Sequence, residues 1–149
     1  MIKRKLMTAM ALAGSIVAAP AFANLDQDTA TVSMNVGLFA ALTGLDDFVL
    51  TTTDADGSAG AVYNGDDSFN LESNGQVRVA LSGGNLKSAA NTEVATTYKL
   101  DSAGTTFDTA SNSVHNAAHS VSAQATLGEI SAQEAGGYSS VITLTVSAI

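Results

Sequence analysis

From residue 29 to residue 38 the chain alternates without a break. Ala30, Val32, Met34, Val36 and Leu38 fall on one side, and Thr29, Thr31, Ser33, Asn35 and Gly37 on the other. A strand turns successive side chains to opposite faces, so this period of two predicts a long half-buried strand. Phe48 and Leu50 predict a short second strand after the Thr43-Gly44-Leu45-Asp46-Asp47 turn. Phe69 and Leu71, then Val77, Val79 and Leu81, alternate on either side of Asn74-Gly75. That dipeptide readily takes the positive φ of a tight turn and predicts a hairpin. Residues 94–100 form another strand, turned back by Ser102-Ala103-Gly104 toward residues 105–107, and residues 108–118 are polar and read as a loop. Val121, Ala123, Ala125 and Leu127 alternate, as do Ile142, Leu144, Val146 and Ala148 against Thr143, Thr145 and Ser147. Residues 38–42 and 125–135 each have room for a helical turn. Roughly eight short strands at this spacing predict an all-β chain, a single antiparallel β-sandwich of immunoglobulin-like or jelly-roll-like type.

The N-terminus follows a different logic. Lys3, Arg4 and Lys5 precede an apolar run over residues 6–19, and Ala21-Phe22-Ala23 places small residues where a signal peptidase reads them. This is the pattern of a secretory signal peptide, residues 1–23, with cleavage after Ala23. The run is shorter than the ~20 residues of an ordinary membrane span, and no second run reaches that length. Residues 24–149 are then one exported β-sandwich domain, in the periplasm, outside the cell or at its surface.

Removing the signal leaves three basic residues, Arg78, Lys87 and Lys99, against all 14 acidic ones, a formal charge of −11. This balance repels nucleic acid, whose recognition depends on Lys and Arg contacts to phosphate, and favours solubility and cations. The chain has no cysteine, so packing, assembly or bound ions must supply what disulfides supply in many exported proteins. The only proline, Pro20, leaves with the signal. Proline is one device that blunts strand edges, and its absence suits edges meant to pair.

The acids gather in turns. Asp46, Asp47, Asp54, Asp56, Asp66 and Asp67 supply the hard oxygens that calcium takes. Thr52-Thr53-Asp54-Ala55-Asp56-Gly57 resembles the start of a calcium loop, but Thr52 stands where the first acid of an EF-hand belongs and Tyr63 where its bidentate Glu belongs. The reading left is a looser site between β-turns, beside solvated turn acids. Calcium is the one cofactor candidate. His115 and His119 would share a face of a helix, but Asn116 replaces the Glu of a zinc-protease motif, and both read as solvated loop histidines. No Gly-x-Ser-x-Gly elbow is present, so no enzymatic activity is expected.

The alternating N-terminal segment carries the functional expectation. It is either the first strand of its own domain or a strand added to a neighbour. Strand addition needs main-chain groups free to pair and alternate apolar anchors, here Ala30, Val32, Met34, Val36 and Leu38. Such contacts run head to tail, and those that do not close give filaments. With this segment, the Thr/Ala/Ser/Gly-rich strands and the closing Gly136-Gly137-Tyr138-Ser139-Ser140-Val141-Ile142-Thr143-Leu144-Thr145-Val146, the chain resembles exported β-sandwich subunits of surface filaments. The final segment is similar to the terminal strand of TasA/camelysin-like matrix fibre proteins and, more weakly, of chaperone–usher pilins. The resemblance implies a structural or adhesive surface subunit that joins another copy, or another surface subunit, by donor-strand exchange. The alternative is a monomeric secreted module that binds calcium or glycans.

Overall fold

The structure, a computed structural model, describes residues 28–149; the segment read as a signal peptide lies outside them. The chain divides into two compact units, Met1–Asn35 and Val36–Ile149. In the first, the described residues 28–35 hold no strand or helix. The second is built of antiparallel sheets: β1 (Ala40–Thr43), β2 (Val62–Ser73), β3 (Val77–Gly83), β4 (Leu86–Lys87), β5 (Glu93–Val94), β6 (Thr96–Leu100), β7 (Thr106–Asp108), β8 (His115–Thr126) and β9 (Ile142–Ala148). A single 3-10 turn, Ile130–Ala132, falls within one of the two stretches expected to allow a helical turn. Among the described residues no helix is long and apolar enough to cross a membrane.

The central feature is a ladder of twelve paired positions between β2 and β8, from Val62↔Thr126 to Ser73↔His115. It forms the middle of a four-stranded sheet in the order β1-β2-β8-β6, while β3 centres a three-stranded sheet in the order β7-β3-β9. β4 and β5 make a separate two-stranded ribbon. One apolar cluster joins the two larger sheets. Phe69 and Leu71 of β2, Val121 of β8 and Leu100 of β6 meet Val77, Val79 and Leu81 of β3, with Phe107, Leu144 and Val146 half-buried beside them. Along β3 the buried residues Val77, Val79 and Leu81 alternate with Arg78 and Ala80, and Arg78 is exposed. The sequence pattern thus assigns the inward positions Phe69 and Leu71 of β2, those of β3, those of β8 from Val121 on and those of β9 as far as Val146; Ala148 is exposed where an inward position was expected.

The connections differ from the expectation. β2 and β3 lie in different sheets, so Asn74-Gly75 is a corner between sheets and not a hairpin turn. Neither residue has a positive φ, which the tight hairpin turn requires. Asn74 is spent elsewhere. Its side-chain amide donates to Gly37 O at 2.8 Å, its Oδ1 accepts from the Phe39 N–H at 2.7 Å, and its own N–H donates to Phe39 O at 3.1 Å. These bonds carry the β1–β2 pairing past Ala40↔Ser73. Gly75 admits Leu38, whose Cδ1 would stand 2.9 Å from any added Cβ.

The turn after β6 behaves likewise. β7 pairs with β3, not β6, and Asp101 and Ser102 turn the chain with φ of 47° and 62°. Phe48 and Leu50 form no strand; the bridge there is Thr51↔Asn64, with N–H···O distances of 2.9 and 2.8 Å. Residues 115–118, expected as loop, open β8. The strand expected over residues 29–38 does not form, and the first strand begins at Ala40.

β1, β6, β7 and β9 are the edges of the two larger sheets. β9 is the longest of them, with seven residues, and Ile142-Thr143-Leu144-Thr145-Val146-Ser147-Ala148 contains no charge and no proline, the usual guards of an exposed edge.

Two substitutions test the core. Leu71 is fully buried between the sheets, so Leu71→Ala should cost about 2–5 kcal/mol. The urea midpoint should fall with little change in slope. Gly65 lies under the backbone of Val49, whose carbonyl oxygen would stand 2.6 Å from an added Cβ. Gly65→Ala should cost about 1–3 kcal/mol through overpacking in the same urea unfolding measurement.

Candidate functional site

The alternating segment is exposed along its described length. Val32 is 94% exposed, Met34 87%, Val36 68% and Leu38 49%; Ala30 is exposed as well. Phe39 follows at 73%. Five large apolar side chains in eight residues therefore face solvent, in a chain whose interior excludes side chains of the same kind from water. Such patches mark interaction surfaces. The root of the segment is fixed by the Asn74 bonds to Gly37 and Phe39, so residues 37–39 have a defined direction where they enter β1.

The acids do not converge. Among the described residues no three His, Cys, Asp or Glu side chains gather as a metal cage. Two of the six carboxylates accept from backbone N–H groups instead, and a third from a tyrosine hydroxyl. Asp67 Oδ2 accepts from the Asp46 N–H at 2.7 Å, and Asp54 Oδ2 accepts from the Val62 N–H at 2.9 Å, at the start of β2. Asp56 Oδ1 accepts from the Tyr63 hydroxyl, whose oxygen in turn accepts from the Gly57 N–H at 3.0 Å. The turn over residues 52–57 is thus tied to β2 by its own acids, and Gly57 takes a φ of 75°, open to glycine at no steric cost.

The histidines are placed differently from expectation. β8 carries both on its inward face, half-buried, with His119 stacked on Phe107 of β7. His115 Nε2 lies 2.9 Å from His119 Nε2, and His119 Nδ1 lies 2.7 Å from Asp101 Oδ2. Four is an even number, so the spacing places two residues on one face of a strand as well as on one face of a helix. The signal was present in the sequence, but the polar composition of residues 108–118 concealed the strand that gives it meaning. Burial pushes the Asp101 carboxyl up, but the Ser120 N–H and the His119 ring outweigh it and hold the group below its ordinary range.

The hydrogen bond that Tyr63 donates to Asp56 raises the phenol above its ordinary value, against the smaller opposing pull of the Gly57 N–H. A raised folded value means that this contribution to stability is complete below about pH 10 and is lost as pH rises through the folded value. Ultraviolet titration should therefore show a phenol ionising above the ordinary tyrosine value, and Tyr63→Phe should remove that late component.

Comparison with models of known protein families and with curated proteins gave no match.

Proposed function

We propose that this chain is an exported, non-enzymatic structural or adhesive subunit that assembles by strand addition. Its domain is read as a two-sheet sandwich, and residues 30–38 are the donor. The observation that carries the reading is the exposed alternating row Val32, Met34, Val36 and Leu38 in a segment that belongs to no strand. An unpaired backbone with alternate apolar side chains is what an added strand contributes to a sheet edge: main-chain hydrogen bonds give affinity and the side chains give register.

β9 is the acceptor that fits best. It is the longest edge and lacks charge and proline. At about 3.3 Å per residue the donor spans roughly 30 Å and β9 roughly 23 Å, so one covers the other. Donor and acceptor are different surfaces of one molecule, and a contact of that kind propagates when it does not close. In this reading the surplus negative charge keeps unassembled chains soluble, and calcium, if it takes part, stiffens the turns between Asp46 and Asp67.

The test compares residues 24–149 with the same chain carrying Val32→Lys and Val36→Lys, by light scattering and negative-stain microscopy, with calcium and with a chelator. The wild type should form oligomers or filaments that grow with concentration, and the double variant should stay monomeric with an unchanged urea midpoint. A wild type that remains monomeric at all concentrations, or a variant that assembles equally well, contradicts the reading. The calcium role is removed by assembly that is indifferent to the chelator.

A further inference from the structure

The geometry of the His115–His119–Asp101 cluster has a separate meaning. β8 is paired to β2 without interruption from Ser73↔His115 to Phe69↔His119. Four residues of strand separate two Cα atoms by roughly 13 Å, more than two upright imidazoles bridge. The rings must lean toward each other along the strand, and Ala117 between them is small enough to allow it. They lie nearly parallel, 22° apart, with centroids at 5.1 Å. His119 is the more firmly held. Its ring stacks on Phe107 at 4.3 Å and on Phe69 at 5.6 Å, and its side chain is only 12% exposed. Asp101 is held in its turn, accepting from the Ser120 N–H at 2.9 Å and donating its own N–H to Ser120 O at 3.0 Å.

The protons follow from these distances. A carboxylate at 2.7 Å requires a proton on His119 Nδ1. Neutral His119 then presents a lone pair at Nε2, and contact with His115 Nε2 at 2.9 Å requires one proton between the two nitrogens. A cation can replace that single proton. It would find two imidazole nitrogens 2.9 Å apart, one of them oriented from behind by a carboxylate, the arrangement that fixes the ring and raises its basicity in metal sites. With metal–nitrogen bonds of about 2.0–2.1 Å, nitrogens 2.9 Å apart subtend an angle near 90°; a tetrahedral angle asks for about 3.3 Å. With ring centroids 5.1 Å apart the two nitrogens face each other nearly head on, so a ring must swing to bring both lone pairs onto one ion, and a tetrahedral ion asks in addition for a separation larger by a few tenths of an ångström.

We propose that His115 Nε2 and His119 Nε2 form a two-ligand site for a borderline divalent transition metal, with Asp101 positioning His119. Imidazole donors select copper(II), nickel or zinc over calcium, which takes oxygen ligands. No third His, Cys, Asp or Glu completes a cage among the described residues, so water fills the remaining positions and the ion exchanges freely.

The test is equilibrium dialysis and calorimetry of the mature chain with copper(II), nickel and zinc salts, each repeated with excess calcium. One ion per chain is expected, indifferent to calcium, tightest for copper(II). His115→Gln, at the very start of β8, should weaken binding at least about tenfold while leaving the urea midpoint of the metal-free chain unchanged. Asp101→Asn should weaken it by about 10–100-fold, the usual effect of losing a carboxylate behind a ligating imidazole. Copper electron paramagnetic resonance should show coupling to two imidazole nitrogens in the wild type and fewer in His115→Gln. Absence of binding by all three ions, displacement by calcium, or binding that survives His115→Gln and His119→Gln together would overturn the proposal.

Discussion

Everything in this domain hangs on the twelve-position ladder between β2 and β8. Its inward column supplies Phe69, Leu71, Val121 and the small residues Ala123 and Ala125, and the other sheet packs Val77, Val79 and Leu81 against that column. With no disulfide, this one cluster carries the burden of stability. A shift of one residue between β2 and β8 would turn the whole column to solvent, so burial itself specifies the register. The peripheral devices are local. Arg78 grips Asp108 with two bonds of 2.6 and 2.7 Å, and Lys87 meets Glu93 at 2.7 Å, but both pairs are exposed and add little beside the core.

Alternation made the faces legible and left the pairing hidden. Val77, Val79 and Leu81 were identifiable as inward residues because a period of two has only two sides to choose from. Which strand lies beside which depends on long-range packing that local pattern does not encode. Asn74-Gly75 illustrates the difference. As a dipeptide it suits a hairpin, yet Asn74 uses its side-chain amide to hold Gly37 and Phe39, and the chain passes to the other sheet. Asp101-Ser102 does the same without glycine, because the Asp101 carboxylate is anchored on Ser120 and His119. The acids, grouped as a candidate cation site by proximity in sequence, are dispersed by the fold onto separate N–H and O–H donors. The histidines, set aside as loop residues, are brought together by the extension of β8 to His115.

The strand that the pattern predicts most strongly is the one that the domain does not use. Residues 30–38 have the alternation of a sheet strand and no sheet, while β9 has an open edge without the usual guards. These two features explain each other if the segment of one chain completes the edge of the next. The proposed reading gains from their independence, since one is a property of the N-terminal pattern and the other of the last strand. Asn74 gives the arrangement a fixed origin by holding the base of the segment where it enters β1.

Amide hydrogen exchange on residues 30–38, followed from dilute to concentrated protein, tests this account most directly. Strand addition predicts unprotected amides in the dilute chain and protection of alternate amides, together with those of β9, as assemblies form. Protection already present in dilute monomer, or a segment that stays unprotected within formed assemblies, would contradict it.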